Sequence, residues 1–198
     1  MWNERYASED YLFGTEPAAF LVAQSAHLPH AAHVLCVADG EGRNSTWLAA
    51  QGHAVTAFDP APNALAKARR LAEARGVTVD LREAGVESWP WEEGAVDAVV
   101  AIFIQFAPPD LRARLFAGMA RTIRPGGVLL LHGYAPRQVG YGTGGPPQAE
   151  NMYTLPLLHA AFPGWEVLHE ADYEAEVEEG RGHSGRSALI DFVARRPA

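Results

Sequence analysis

Apolar residues along the chain gather into short runs, and the spacing within a run changes from place to place. Residues 33–38 (HVLCVA) form a short run rich in branched side chains, which predicts a first strand. Gly40 and Gly42 follow it, and Asn44 or Ser45 is positioned to cap a helix that stops at Gly52. A second strand is expected at 54–58, ending at Asp59-Pro60. Residues 62–75 open on proline, run through alanine and leucine, and meet Gly76, the pattern of a helix with both ends marked. A third strand is expected at 77–81. The run at 96–103 is apolar apart from Asp97 near its start, as for a central parallel strand buried on both faces. Leu111, Leu115, Met119 and Ile123 form one helical stripe within 110–123. Pro125-Gly126-Gly127 reads as a turn before a fifth strand at 128–132. After a loop rich in glycine and proline, a short helix is expected at 154–162. Strand signals at 165–168 and 188–195 have no clear helix between them, so they should pair antiparallel.

Strand–helix alternation of this kind predicts a doubly wound α/β sheet, mostly parallel, with helices on both faces. The 198 residues suit one such domain, with 1–30 as an N-terminal cap and 133–153 as a lid loop. Loops of that length inside a domain usually carry function.

Composition narrows the classes. A formal net charge of −8 and scattered basic pairs argue against a nucleic-acid partner. The lone Cys36 excludes an internal disulfide and a multi-cysteine metal site, and predicts a reducing, cytoplasmic setting. Residues 1–9 lack the apolar core of a leader peptide. The longest apolar run, 98–104, is far below the ~20 residues that span a bilayer. A small-molecule substrate and a monomer or homodimer are therefore expected, with no membrane partner.

The chemistry centres on Gly40-Glu41-Gly42 at the carboxyl end of the first strand, where open α/β sheets bind ligands. Glycines there permit close backbone approach, and the following helix offers free N–H groups. Asp59 ends the second strand and can accept both hydroxyl protons of a ribose. An adenosine-containing ligand follows, either NAD or S-adenosylmethionine. The dinucleotide fingerprint wants a third glycine at position 45, which is Ser45, and no phosphate-loop lysine follows.

The stretch VLCVADGEGRNSTWLA at 34–49 resembles the first motif of class I S-adenosylmethionine-dependent methyltransferases. FDPAPNALAKAR at 58–69, DAVVAIFIQF at 97–106 and IRPGGVLLL at 123–131 are similar to later motifs of the same class. The nearest resemblance is to a small bacterial group of tellurite-resistance-type and thiol-type methyltransferases. It implies a Rossmann-like seven-stranded sheet with an antiparallel C-terminal strand. It also implies S-adenosylmethionine as cofactor and S-adenosylhomocysteine as product. Carried over residue by residue, the cofactor site would comprise Ala38, Asp39, Gly40, Glu41, Gly42, Asn44, Asp59, Pro60, Gly85, Val86, Ile102 and Phe103. The chain departs from the pattern at Cys36, usually Asp, and at Ala38, usually glycine.

Methyl transfer from a sulfonium is an in-line displacement that needs alignment and exclusion of water more than a strong base. Arg5, Tyr6, Tyr11, Phe13 and Gly14 are expected to form one lid, with Arg5 or Arg43 meeting a methionyl carboxylate. In the second lid, Tyr134 and Tyr153 would orient an acceptor while Gln138 and Thr143 close the loop. His183 is a candidate for proton transfer. Gly182-His183-Ser184-Gly185 lacks the glycine two after serine that a nucleophile elbow requires, and no histidine pair has metal-ligand spacing. The acceptor is expected to be a thiol or a chalcogen oxyanion. The competing readings are an NAD-dependent oxidoreductase and a non-catalytic S-adenosylmethionine-binding protein.

Overall fold

The computed structural model describes residues 1–198. Seven strands form one sheet: β1 (His33–Val37), β2 (Ala54–Asp59), β3 (Asp80–Glu83), β4 (Val96–Ile102), β5 (Ile123–Tyr134), β6 (Glu166–Glu179) and β7 (His183–Arg195). Their order is β3-β2-β1-β4-β5-β7-β6. Neighbours from β3 to β5 are parallel, and β7 is antiparallel to both β5 and β6. This is the expected Rossmann-like, mostly parallel seven-stranded sheet.

Alternation along the central strands feeds two cores. Leu35, Val37, Val99, Leu129 and Leu131 pack with Leu115 and Met119 of α5 (Pro109–Thr122) and Leu158 of α6 (Leu155–Ala161). Val34, Cys36, Val100 and Leu130 pack with Phe20 and Leu21 of α2 (Ala19–Gln24) and Leu48 of α3 (Arg43–Ala50). Helices thus cover both faces, and Cys36 is a buried core residue. The remaining helices are α1 (Trp2–Arg5) and α4 (Pro62–Arg75), the latter ending as expected on left-handed Gly76. No helix is long and apolar enough to cross a membrane.

Several boundaries differ from the sequence reading. Helix α3 begins at Arg43 with Gly42 as its N-cap, so Asn44 and Ser45 lie inside it and cap nothing. Asn44 instead accepts the Ala18 N–H at 2.9 Å. The third strand starts at Asp80, not residue 77. Residues 123–127 are strand rather than helix end and turn, and Gly133 and Tyr134 still belong to β5. Strand β6 is 14 residues long where a four-residue signal was visible. Its register with β7 runs without helix or loop from Glu166↔Arg195 to Glu179↔His183, around one irregularity near His169.

Candidate active site

The carboxyl ends of β1, β2, β4 and β5 open into one cavity of about 780 Å³. At two of these ends the backbone is left-handed at a non-glycine residue: Ala38 after β1 (φ 47°) and Phe103 after β4 (φ 55°). Such conformations cost of order 1 kcal/mol and concentrate at functional sites. The missing glycine at position 38 is thus tolerated with its backbone twist intact.

Asp59 holds the turn after β1 in place. Its Oδ2 accepts the Gly40 N–H at 3.0 Å and its Oδ1 accepts the Ala61 N–H at 2.9 Å. Each oxygen keeps a further lone pair. Burial raises its pKa against those hydrogen bonds. Asp39, one residue before Gly40, accepts the Ser45 hydroxyl. Burial, with a smaller push from the Asp59 charge, lifts its pKa to about 7. A carboxyl protonated more readily when folded stabilises the fold at low pH and loses that contribution as pH rises through about 7. Asp39→Asn is expected to flatten the fall in melting temperature between about pH 4 and 7, the interval between the ordinary carboxyl pKa and the raised one. An unchanged slope would show that Asp39 is already ionised.

Of the other sequence-predicted residues, Arg5, Tyr6, Phe13, Asn44, Pro60, Val86, Ile102, Phe103, Tyr134 and His183 line this cavity, as do Ala38, Asp39, Gly40 and Asp59. The rest do not reach it. Glu41 turns away and pairs with Lys67 at 2.7 Å in the interior. Gly42 packs on Ala68 of α4. Gly85 forms a turn with Ser88 at 3.0 Å. The Tyr11 hydroxyl donates to the Lys67 carbonyl at 3.0 Å, and Gly14 lies against Gly180. Tyr153 is 1% exposed and sits in the core against Phe116, because it faces the sheet rather than the strand ends. Gln138 and Thr143 act inside the loop: Gln138 Nε2 donates to Thr143 Oγ1 at 2.9 Å, and its Oε1 accepts the Ala188 N–H at 2.8 Å.

The cavity also holds Gln105, which pattern reading passed over, and Arg43, which it had named. Gln105 brackets the Tyr134 backbone, accepting its N–H at 2.6 Å and donating to its carbonyl at 2.8 Å. Arg43 is buried, and its Nη2 pairs with Glu179 from the end of β6 at 2.8 Å. The only early signal for Gln105 was a polar residue directly after the longest apolar run, 98–104.

Aromatic rings form a continuous wall. Successive centroids lie at 5.8 Å for Trp2–Tyr6, 6.4 Å for Tyr6–Phe13 and 4.4 Å for Phe13–His183. The wall continues through His183–Phe103 at 4.1 Å and Phe103–Tyr134 at 4.7 Å. Burial depresses the His183 pKa to about 3, aided by the Arg43 charge, so its imidazole is neutral near pH 7. Burial raises the Tyr134 phenol pKa, so it stays protonated.

Comparison with known proteins agrees with this architecture. A family model described as a methyltransferase domain matches residues 34–127. An uncharacterized protein of Mycobacterium tuberculosis is 38% identical over 104 residues, a match covering 52% of this chain and 37% of that protein. A solved structure concerned with converting a disulfide bond into a thioacetal group during echinomycin biosynthesis superposes with a TM-score of 0.77. It is 21% identical, covering 98% of this chain and 88% of that one. The Burkholderia thailandensis 1,6-didemethyltoxoflavin-N1-methyltransferase, solved with bound 1,6-didemethyltoxoflavin and S-adenosylhomocysteine, gives a TM-score of 0.67. It is 22% identical, covering 91% of this chain and 78% of that one. The chain has the Rossmann-like fold of class I methyltransferases, with its methyltransferase-domain match over residues 34–127.

Proposed function

We propose that this protein transfers a methyl group from S-adenosylmethionine to a small-molecule acceptor. One observation carries the choice of cofactor over NAD. The carboxylates Asp39 and Asp59 stand beside Gly40 at the ends of β1 and β2, and both line the cavity. A pyrophosphate brought to that turn would meet two carboxyl groups. S-adenosylmethionine instead brings an ammonium and a sulfonium, which carboxylates attract. Ser45 points the same way, since its hydroxyl is already engaged by Asp39.

The cofactor fits the residues present. Asp59 has lone pairs for the ribose hydroxyls, Pro60 and Val86 flank the space for an adenine, and Asp39 can take an ammonium. Arg43 Nη1 is buried without a partner and suits a carboxylate, with Arg5 as the second cation. When bound, the cofactor would supply an activated methyl on a positively charged sulfur to the acceptor's lone pair and leave as a neutral thioether. Neutral His183, whose Nδ1 lacks a partner, can accept a hydrogen bond from the acceptor's thiol or hydroxyl, but with a pKa of about 3 it is too weak a base to take the proton outright. A soft nucleophile such as a thiol needs the least help from a base. The shared fold with a protein whose chemistry acts on a disulfide supports sulfur over a chalcogen oxyanion.

Calorimetry with S-adenosylhomocysteine and NAD tests the cofactor. S-Adenosylhomocysteine should bind and NAD should not. Asp59→Ala should weaken that binding by about 1.5–3 kcal/mol, the loss of hydrogen bonds to a charged acceptor. NAD binding without S-adenosylhomocysteine binding would overturn the proposal. Release of S-adenosylhomocysteine over a panel of thiols, selenite and tellurite tests the acceptor.

A further inference from the structure

The cavity holds more than a cofactor site, and the part beyond Phe103 has its own chemistry. Its ring wall ends in His183, Phe103 and Tyr134, and facing it is the loop of Gly144, Gly145, Pro146 and Pro147. Gly145 lies against the Tyr134 ring, and a Cβ on Gly144 would come 2.6 Å from the Tyr134 hydroxyl oxygen. On the loop side, glycine backbone rather than a side chain therefore lies over that ring.

Buried polar atoms are normally paired. This protein leaves four buried side-chain polar atoms without a partner: Arg43 Nη1, Tyr134 Oη, Asn151 Oδ1 and His183 Nδ1. All four belong to residues of this one cavity. Tyr134, Asn151 and His183 are each more than nine-tenths buried. Together they can donate and accept, and none of the three carries a charge near pH 7. Arg43, which lines the same cavity, pairs through Nη2 with Glu179.

Resting on the methyl-transfer reading, we propose that this half of the cavity binds a flat aromatic acceptor, an aryl thiol, phenol or hydroxylated nitrogen heterocycle. Its ring lies along the aromatic wall, and its heteroatoms take up the unpaired atoms of Tyr134, Asn151 and His183. Offset stacking on the ring wall distinguishes such a molecule from an aliphatic thiol with the same nucleophile. A selenite or tellurite anion has no use for the rings, and with the cofactor bound the two cavity arginines, Arg5 and Arg43, would already face its carboxylate. The glycines over Tyr134 let the covering loop shift aside without losing side-chain contacts of their own.

The test is calorimetry on the protein saturated with S-adenosylhomocysteine, titrated with 4-methylthiophenol, phenol, 2-mercaptoethanol and selenite. The aryl thiol should bind about five- to tenfold more tightly than the aliphatic one, the size of a good aromatic contact. Tyr134→Phe keeps the ring and removes only an unpaired hydroxyl. It should leave the melting temperature and S-adenosylhomocysteine affinity unchanged while lowering affinity for phenol severalfold. Equal affinity for aryl and aliphatic thiols, or a Tyr134→Phe variant that binds phenol as the wild type does, would overturn the aromatic acceptor. Either result would leave the cofactor reading in place. Failure of S-adenosylhomocysteine itself to bind would remove both.

Discussion

Glu41→Ala is expected to destabilise the protein by about 3–5 kcal/mol, the usual cost of breaking one side of a buried ion pair. Glu41 and Lys67 are among the most deeply buried charges in the fold, with side chains 2% and 3% exposed and 2.7 Å apart. Their remaining hydrogen bonds all run to the N-terminal segment. Glu41 Oε2 accepts the Leu12 N–H at 2.8 Å, and Lys67 Nζ donates to the Asp10 carbonyl at 2.7 Å. The pair therefore rivets residues 10–12 to the turn that begins α3. Without the carboxylate, Lys67 is left as an uncompensated ammonium and the Leu12 N–H loses its acceptor. The cap that carries Trp2, Tyr6 and Phe13 into the cavity wall should then loosen. Urea unfolding gives the stability loss, and faster proteolysis before residue 18 reports the cap. The double variant Glu41→Ala, Lys67→Met removes both charges and should recover much of the loss. A single-variant cost below about 1 kcal/mol would mean that water reaches the pair and that the cap is held elsewhere.

The same glutamate shows how far the sequence could be read. Strands β1, β2 and β4 announced themselves through largely apolar runs, because residues buried on both faces leave little room for polar side chains, and helix α4 through its end signals. Position in those strands was enough to place Gly40, Asp59 and Phe103 at one end of the sheet. Most of strand β6, beyond the short signal at its start, was missed because it lies at the sheet edge with one face in water. Its pattern from Ala171 through Tyr173, Ala175 and Val177, with acids between, is period two and reads as polar when judged by hydrophobicity alone. Missing it hid Glu179, which lies at its end and pairs with Arg43. Tyr153 and Glu41 failed for another reason. A residue type and a neighbouring motif do not say which way a side chain turns, and both turn inward. The aromatic wall joins residues as distant in sequence as Trp2 and His183, so no local pattern could have assembled it.

Gly42→Ala should likewise be costly to the fold, by about 2–5 kcal/mol, for steric reasons that have little to do with a ligand. Gly42 sits at φ 86°, a left-handed conformation that costs an alanine about 1–2 kcal/mol. A Cβ there would lie 2.7 Å from the Cβ of Ala68 and 2.9 Å from its Cα, and forcing such close approaches typically adds about 1–3 kcal/mol. The glycine is what lets α3 start against α4. Gly40 makes the contrasting case. It too is left-handed, at φ 61°, but its Cβ would meet only the Tyr6 hydroxyl, at 3.1 Å, on the cavity side. Gly40→Ala should lose less stability and proportionally more affinity for S-adenosylhomocysteine. Melting temperature and calorimetric affinity, measured for both variants, separate the two roles. Ala68→Gly added to Gly42→Ala removes the clash with the residue 68 methyl group but leaves the clash with its backbone, so it should restore part of the lost stability and no more. A Gly42→Ala protein with wild-type stability and weakened cofactor binding would return Gly42 to the ligand surface, and the packing account of the second glycine would be wrong.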